Sequence, residues 1–83
     1  MNTELTNAIV YSQENCFACN NAVSLLKSKG YTVEVRKLDA SGPWTKKHLL
    51  ELVPDARSVP QIFVGNYYVG GFNELVKYFK ESQ

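Results

Sequence analysis

The sequence has almost no excess charge of either sign. Nine Lys and Arg residues face eight Asp and Glu residues, so the 83-residue chain carries a net charge of +1. Binding to nucleic acid through its phosphates needs a concentrated basic patch, and binding to anionic lipid needs a polybasic segment. The balanced charge therefore argues against nucleic acid and against a membrane surface as partners.

The sequence also lacks a long hydrophobic run, since the longest is Ala8-Ile9-Val10-Tyr11. A helix that spans a bilayer needs about 20 apolar residues. Residues 1–7 are polar and lack the basic-then-apolar pattern of a signal peptide. A chain of this length has room for one hydrophobic core. We therefore expect a single domain over residues 1–83, monomeric and cytoplasmic.

The order of apolar and turn-forming residues in the first half predicts a strand, a helix and a second strand. The apolar run that ends at Tyr11 is typical of a buried central strand. A helical pattern begins at Cys16 and stops at Gly30, a residue suited to the end of a helix. Residues 32–38 alternate, with Val33 and Val35 on one side, as in a half-buried strand.

The second half predicts a helix, a hairpin and a last helix. Ser41-Gly42-Pro43 is a suitable helix start, and that helix must stop before Pro54. Gly65-Asn66 is a two-residue turn between two short strands, and Asn73 is the predicted cap of the last helix. The order is β-α-β-α-β-β-α. Because the first β-α-β unit is a parallel crossover and the hairpin is antiparallel, the sheet is mixed.

Cysteine is scarce, and the two that are present lie three residues apart, at Cys16 and Cys19. Residues at this spacing share one face of a helix, so the two sulfur atoms can approach bonding distance. Cys16 falls at the helix N-terminus, which favours the thiolate and so makes the thiol a better nucleophile. The competing interpretation is half of a zinc site, but four ligands are usual, and the chain has one histidine, His48. A C-x-x-C pair beside a β-α-β pattern instead indicates a redox motif.

Three segments together resemble the glutaredoxin family. They are Tyr11 to Cys19, then Ser58-Val59-Pro60-Gln61-Ile62-Phe63, then Gly70-Gly71-Phe72-Asn73-Glu74-Leu75. The last segment is particularly similar to the small glutaredoxins of tailed bacteriophages. The resemblance implies a thioredoxin fold, an α/β architecture with a four-stranded mixed sheet and three helices. It also implies that Cys16 is the attacking nucleophile and that Cys19 is the resolving thiol.

The resemblance further implies how glutathione binds as a co-substrate. It implies that the Val59-Pro60 peptide bond is cis, with the backbone of Val59 turned outward to pair with an extended peptide. It places Gly71, Phe72 and Asn73 at a helix N-terminus whose N–H groups hold the γ-glutamyl carboxylate. Arg57 matches a frequent arginine of the family.

Three positions depart from the family pattern. Gln13 stands where many members have a lysine that holds the glycine carboxylate of glutathione and the thiolate. Phe17 follows the first cysteine, and the tyrosine that flanks glutathione in many members is missing. Asn73 replaces an acidic residue. The helix N-terminus lowers the pKa of the Cys16 thiol, but the lysine that would lower it further is absent. We therefore expect this thiol to be acidic, with a pKa in the upper part of the roughly 3.5–7.5 range of activated cysteines.

The expected function is therefore glutathione-dependent thiol–disulfide exchange on protein disulfides and glutathionylated proteins, with ribonucleotide reductase as one target and no metal required. Two alternatives stay open at this point. One is a glutaredoxin-like protein that is reduced by thioredoxin reductase. The other is a module that holds a [2Fe–2S] cluster between two subunits with the help of glutathione, since the family members that do so lack proline after the first cysteine.

Overall fold

The computed structural model describes residues 7–81, which form one four-stranded sheet and three helices. The elements are β1 (Asn7–Ser12), α1 (Phe17–Ser28), β2 (Thr32–Lys37), α2 (Lys46–Leu52), β3 (Gln61–Val64), β4 (Tyr67–Gly70) and α3 (Phe72–Glu81). The spatial order is β2-β1-β3-β4. β1 pairs in parallel with β2 and antiparallel with β3, and β3 pairs antiparallel with β4. The predicted element order and the thioredoxin fold are confirmed.

The core lies between one face of the sheet and the two helices α1 and α3. Alternate residues of the central strands point to this face and are buried, as the period of two in a strand requires. α1 and α3 add apolar side chains spaced three or four residues apart. The buried members of this cluster are Ala8, Val10, Ala22, Leu26, Ile62, Val64, Leu75 and Phe79.

The opposite face of the sheet carries aromatic and polar side chains beside the segment that contains α2. Tyr11 is 1 % exposed, and its ring makes edge contacts with Trp44 and Phe63. Arg36 lies 4.1 Å from the centre of the Trp44 ring and donates a 2.8 Å hydrogen bond to the hydroxyl of Tyr11. This cluster joins the end of β1 to the loop before α2, on the side of the molecule where the cysteines lie.

Two predicted helix starts are wrong. α2 begins after Thr45 rather than at Ser41, because the Thr45 side chain accepts from the backbone N–H of His48 while the His48 side chain accepts from that of Thr45. Asn73 lies within α3 rather than capping it. The carboxylate of Glu74 caps the helix instead, and accepts a 2.9 Å hydrogen bond from the N–H of Gly71.

The apolar residues of β2 are more exposed than their alternating pattern predicts, because β2 lies at the edge of the sheet. Val33 and Val35 pair with Ala8 and Val10 on the sheet, yet Val35 is 49 % exposed because β2 is an outer strand. In the described part of the chain, no helix is long and apolar enough to cross a membrane.

Candidate active site

The turn between β1 and α1 holds Cys16 at the N-terminus of the helix. Asn15 has a φ of 58°, in the left-handed region that asparagine tolerates better than most residues. Cys16 then adopts an extended conformation and forms the N-cap of α1, where its Sγ accepts a 3.1 Å hydrogen bond from the backbone N–H of Cys19. The sulfur therefore occupies the place where a helix N-terminus stabilises negative charge.

The structure is the oxidised form, with a disulfide bond between Cys16 and Cys19, whose Cα atoms are 5.2 Å apart. The two cysteines differ in their exposure to solvent. Cys16 is partly exposed, whereas Cys19 is 1 % exposed and faces the protein interior. This asymmetry suits Cys16 to meet an external disulfide and Cys19 to act from within the protein.

A surface cavity of about 700 Å³ opens beside Cys16. Its lining includes three of the predicted binding residues, namely Gln13, Arg57 and Val59. It also includes two cations, Lys46 and Lys47, that the sequence reasoning missed. A lining that contains three basic residues as well as Cys16 gives the cavity a chemistry suited to a carboxylate.

One acid, Asp39, also contributes to this lining. The backbone N–H and the hydroxyl of Ser41 donate hydrogen bonds to its carboxylate, and these lower the pKa of Asp39. The acid is therefore ionised at neutral pH and opposes part of the positive charge of the cavity.

The segment before β3 forms the edge of this cavity. The Val59-Pro60 peptide bond is cis, as predicted, and Pro60 is buried. Within residues 7–81, no hydrogen bond engages the N–H or C=O of Val59. Both groups therefore lack a hydrogen-bond partner among the described residues, on a half-buried residue of the cavity lining.

The N-terminus of α3 adjoins this segment. A Cβ atom built on Gly71 would lie 3.6 Å from the carbonyl oxygen of Pro60, so the two backbones pass close together. Phe72 is half-buried and packs against the core, whereas Asn73 is exposed in the first turn. Gly71, Phe72 and Asn73 lie outside the lining of the cationic cavity and form a second region beyond Pro60.

Phe17 is a predicted site residue that the structure leaves almost fully exposed. It begins α1, its side chain is 86 % exposed, and it lies outside the cavity lining. Between residues 7 and 81, no group of three His, Cys, Asp or Glu side chains is placed to hold a metal ion.

The family model and the curated relatives that match this chain all point to the same family. The family model described as Glutaredoxin matches residues 8–69. Glutaredoxin 3 of Escherichia coli strain K12 is 32 % identical over 71 residues, which cover 86 % of this chain and 83 % of that protein. Glutaredoxin 1 of Rickettsia conorii is 30 % identical over 79 residues, or 95 % of this chain and 78 % of that protein.

The solved structures agree on the fold. The crystal structure of a buckwheat glutaredoxin–glutathione complex superposes with a TM-score of 0.76 at 22 % identity, covering 96 % of this chain and 76 % of that chain. The structure of oxidised Escherichia coli glutaredoxin gives a TM-score of 0.71 at 23 % identity, covering 90 % and 94 % of the two chains.

Proposed function

The chain belongs to the glutaredoxin family of thiol–disulfide oxidoreductases, and on this premise we propose that glutathione is its reductant and that its substrates are protein disulfides and glutathionylated proteins. The observation that carries the proposal is the Cys16–Cys19 disulfide at the N-terminus of α1, with its accessible sulfur beside a cavity that bears three cations. Glutathione is a thiol with two carboxylates, and this arrangement offers a reaction partner and a counter-charge together.

The reaction begins with the reduced protein. The Cys16 thiolate attacks one sulfur of a substrate disulfide, a new S–S bond forms, and the other substrate sulfur leaves as a thiolate that takes up a proton. When the substrate is a protein disulfide, the thiolate of Cys19 then attacks the Cys16 sulfur and releases the second substrate thiol. The substrate gains two electrons, and the protein is left with the Cys16–Cys19 disulfide. Two glutathione molecules return it to the dithiol and become glutathione disulfide.

The binding of glutathione divides between the two regions of the site. Arg57, Lys46 and Lys47 offer positive charge to the glycine carboxylate, and the free backbone of Val59 offers a partner for the cysteinyl residue. Phe72 and Asn73 lie in the first turn of α3, and their N–H groups offer a helix N-terminus to the γ-glutamyl carboxylate. Lys46 and Lys47 thus supply charge in a cavity where Gln13 supplies none.

Two assays decide which reductant the protein uses. The oxidised protein is offered glutathione with glutathione reductase and NADPH, and separately thioredoxin reductase with NADPH, with a glutathionylated peptide as the substrate in both. We expect rapid NADPH oxidation in the first assay and background in the second. Turnover with thioredoxin reductase alone would overturn the proposal in favour of the alternative.

We also propose a protein substrate and a cellular location for this activity. The similarity of the Gly70-Gly71 segment to small phage glutaredoxins supports ribonucleotide reductase as one substrate. The cytoplasm is the proposed location, since its glutathione pool keeps thiols reduced.

We predict that Gln13→Lys raises both thiol acidity and glutathione affinity. The new ammonium group joins the lining of the cavity that Cys16 shares, where it stabilises the thiolate and the glycine carboxylate. Since Gln13 is exposed, the gain is that of a solvent-screened ion pair, about 0.2–1 kcal/mol, or a decrease of up to about 0.7 in the pKa of Cys16. The measurement is the rate of Cys16 alkylation by iodoacetamide against pH.

The matched control is Gln13→Glu, which keeps the length of the side chain and reverses the sign of the new charge. It should move the alkylation profile toward higher pH and raise the KM for glutathione. Identical profiles for the lysine and glutamate variants would show that hydrogen bonds at the helix N-terminus, rather than nearby charge, set the acidity of this thiol.

A further inference from the structure

Two hydrogen bonds in series lead from β4 to the edge of the site. The hydroxyl of Tyr68 donates to Oε1 of Gln61, and Nε2 of Gln61 donates to the carbonyl oxygen of Ser58 over 2.8 Å. Gln61 is 7 % exposed, and the ring of Tyr68 packs against Phe63 with 5.2 Å between ring centres. The side chains in this series are therefore held by burial or by ring packing as well as by their hydrogen bonds.

The direction of the series is fixed by its last acceptor. The Ser58 carbonyl can only accept, so the amide nitrogen of Gln61 must face it and the amide oxygen must face Tyr68. Tyr68 must then donate. Desolvation, together with the negative charge of nearby Glu74, raises the pKa of Tyr68 above its ordinary value, so its phenol keeps the proton that it donates.

The peptide group that this series holds is the one that ends in the N–H of Val59. The Ser58 C=O and the Val59 N–H belong to one planar trans unit and point in opposite directions. A hydrogen bond that fixes the carbonyl oxygen therefore also fixes the direction of the N–H. That N–H has no partner within the described range and lies on a residue of the cavity lining.

We propose that Tyr68 and Gln61 are positioning residues, which hold the Val59 N–H in the direction required to pair with the backbone of glutathione or of an extended substrate peptide. The inference rests on the proposed function for the ligand, but the ordering of Val59 stands on the hydrogen bonds alone. A peptide group that is already fixed does not have to lose backbone freedom when the ligand binds. The series should therefore act on substrate binding and leave the chemistry of Cys16 unchanged.

The test is Tyr68→Phe, which removes the hydroxyl and keeps the ring against Phe63. We expect the KM for glutathione to rise about three- to tenfold, with kcat within about twofold and with the pH profile of Cys16 alkylation unchanged. The backbone ¹⁵N order parameter of Val59 should fall from about 0.85 toward 0.6, the range of flexible backbone. Tyr67→Phe is the matched control, since the ring of Tyr67 stacks on Tyr78 instead, and it should behave as the unmodified protein.

A second variant distinguishes the effect of losing these hydrogen bonds from the effect of losing side-chain packing. Gln61→Met removes both hydrogen bonds, and adding Tyr68→Phe to it should change neither KM nor the Val59 order parameter further. An unchanged order parameter in Tyr68→Phe, or full additivity in the double variant, would overturn the proposal. If the unmodified protein does not turn over with glutathione, the proposed function fails, and the order parameter still decides whether the series holds Val59.

Discussion

Cys16→Ser is expected to abolish both the reduction of protein disulfides and the removal of glutathione from glutathionylated proteins. Each reaction begins with attack by the Cys16 thiolate, and a serine hydroxyl at the same N-cap position is neither ionised at neutral pH nor able to form a disulfide. Both rates should fall to the uncatalysed background. The measurement is a glutathione-coupled assay with one glutathionylated peptide and one disulfide-bonded protein as parallel substrates.

Cys19→Ser serves as the matched variant, because it changes the same kind of group three residues away. A second glutathione can release a glutathionyl group from Cys16, so deglutathionylation should stay within about tenfold of the unmodified rate, whereas protein-disulfide reduction stops at the mixed disulfide. That trapped intermediate is visible as the summed mass of enzyme and substrate. Equal loss of both activities in Cys19→Ser would contradict a route that needs only one thiol.

Gly70→Ala is expected to destabilise the domain and to weaken glutathione binding together. Gly70 has a φ of +119°, and an added Cβ would lie 3.1 Å from both Cβ and Cγ of Glu74. Backbone strain of this kind costs about 1–3 kcal/mol, and each kcal/mol lowers the Tm of a domain this small by roughly 4–8 °C. Displacing Glu74 also removes the cap from Gly71 at the start of α3, so the KM for glutathione should rise. The measurements are thermal unfolding and steady-state kinetics.

Gly30→Ala controls for the backbone strain. Gly30 also has a positive φ, of +90°, but an added Cβ there would meet no heavy atom within 4 Å. It should cost stability by backbone strain alone, with the KM for glutathione unchanged. If Gly70→Ala resembled Gly30→Ala in both measurements, the contact with Glu74 would have no functional consequence.

Local patterns predict the parts of the fold whose causes are local. The continuous apolar run that ends at Tyr11 marks β1 as a buried strand, and Gly65-Asn66 marks the hairpin turn, because in each case the signal lies within the element itself. The start of α2 is missed because the N3 partner of Thr45 is a histidine rather than the usual Glu or Gln. At α3, Asn73 and Glu74 both suit a helix start, and the longer side chain is the one that reaches back to Gly71.

The candidate site is predictable from the sequence only where its residues lie in recognisable segments. The C-x-x-C spacing indicates the dithiol directly, and the cis bond at Pro60 follows from the family resemblance. Lys46 and Lys47 are about 30 residues from Cys16 along the chain, and only the path of the loop before α2 brings them to the same cavity. Neighbouring residues of a strand face opposite sides of the sheet, which predicts that one of Tyr67 and Tyr68 is buried. They are instead 61 % and 41 % exposed, because β4 is an outer strand.

The burial of Cys19 sets the regiochemistry of the whole catalytic cycle. An entering thiol can reach a disulfide only at a sulfur that solvent can reach, and in the oxidised protein that atom belongs to Cys16. Reduction by an external thiol therefore makes Cys19 the leaving group every time. The covalent adduct on the way back to the dithiol then lies on the same sulfur as the adduct on the way out. The Cys16 sulfur therefore both receives electrons from the external thiol and passes them to the substrate disulfide.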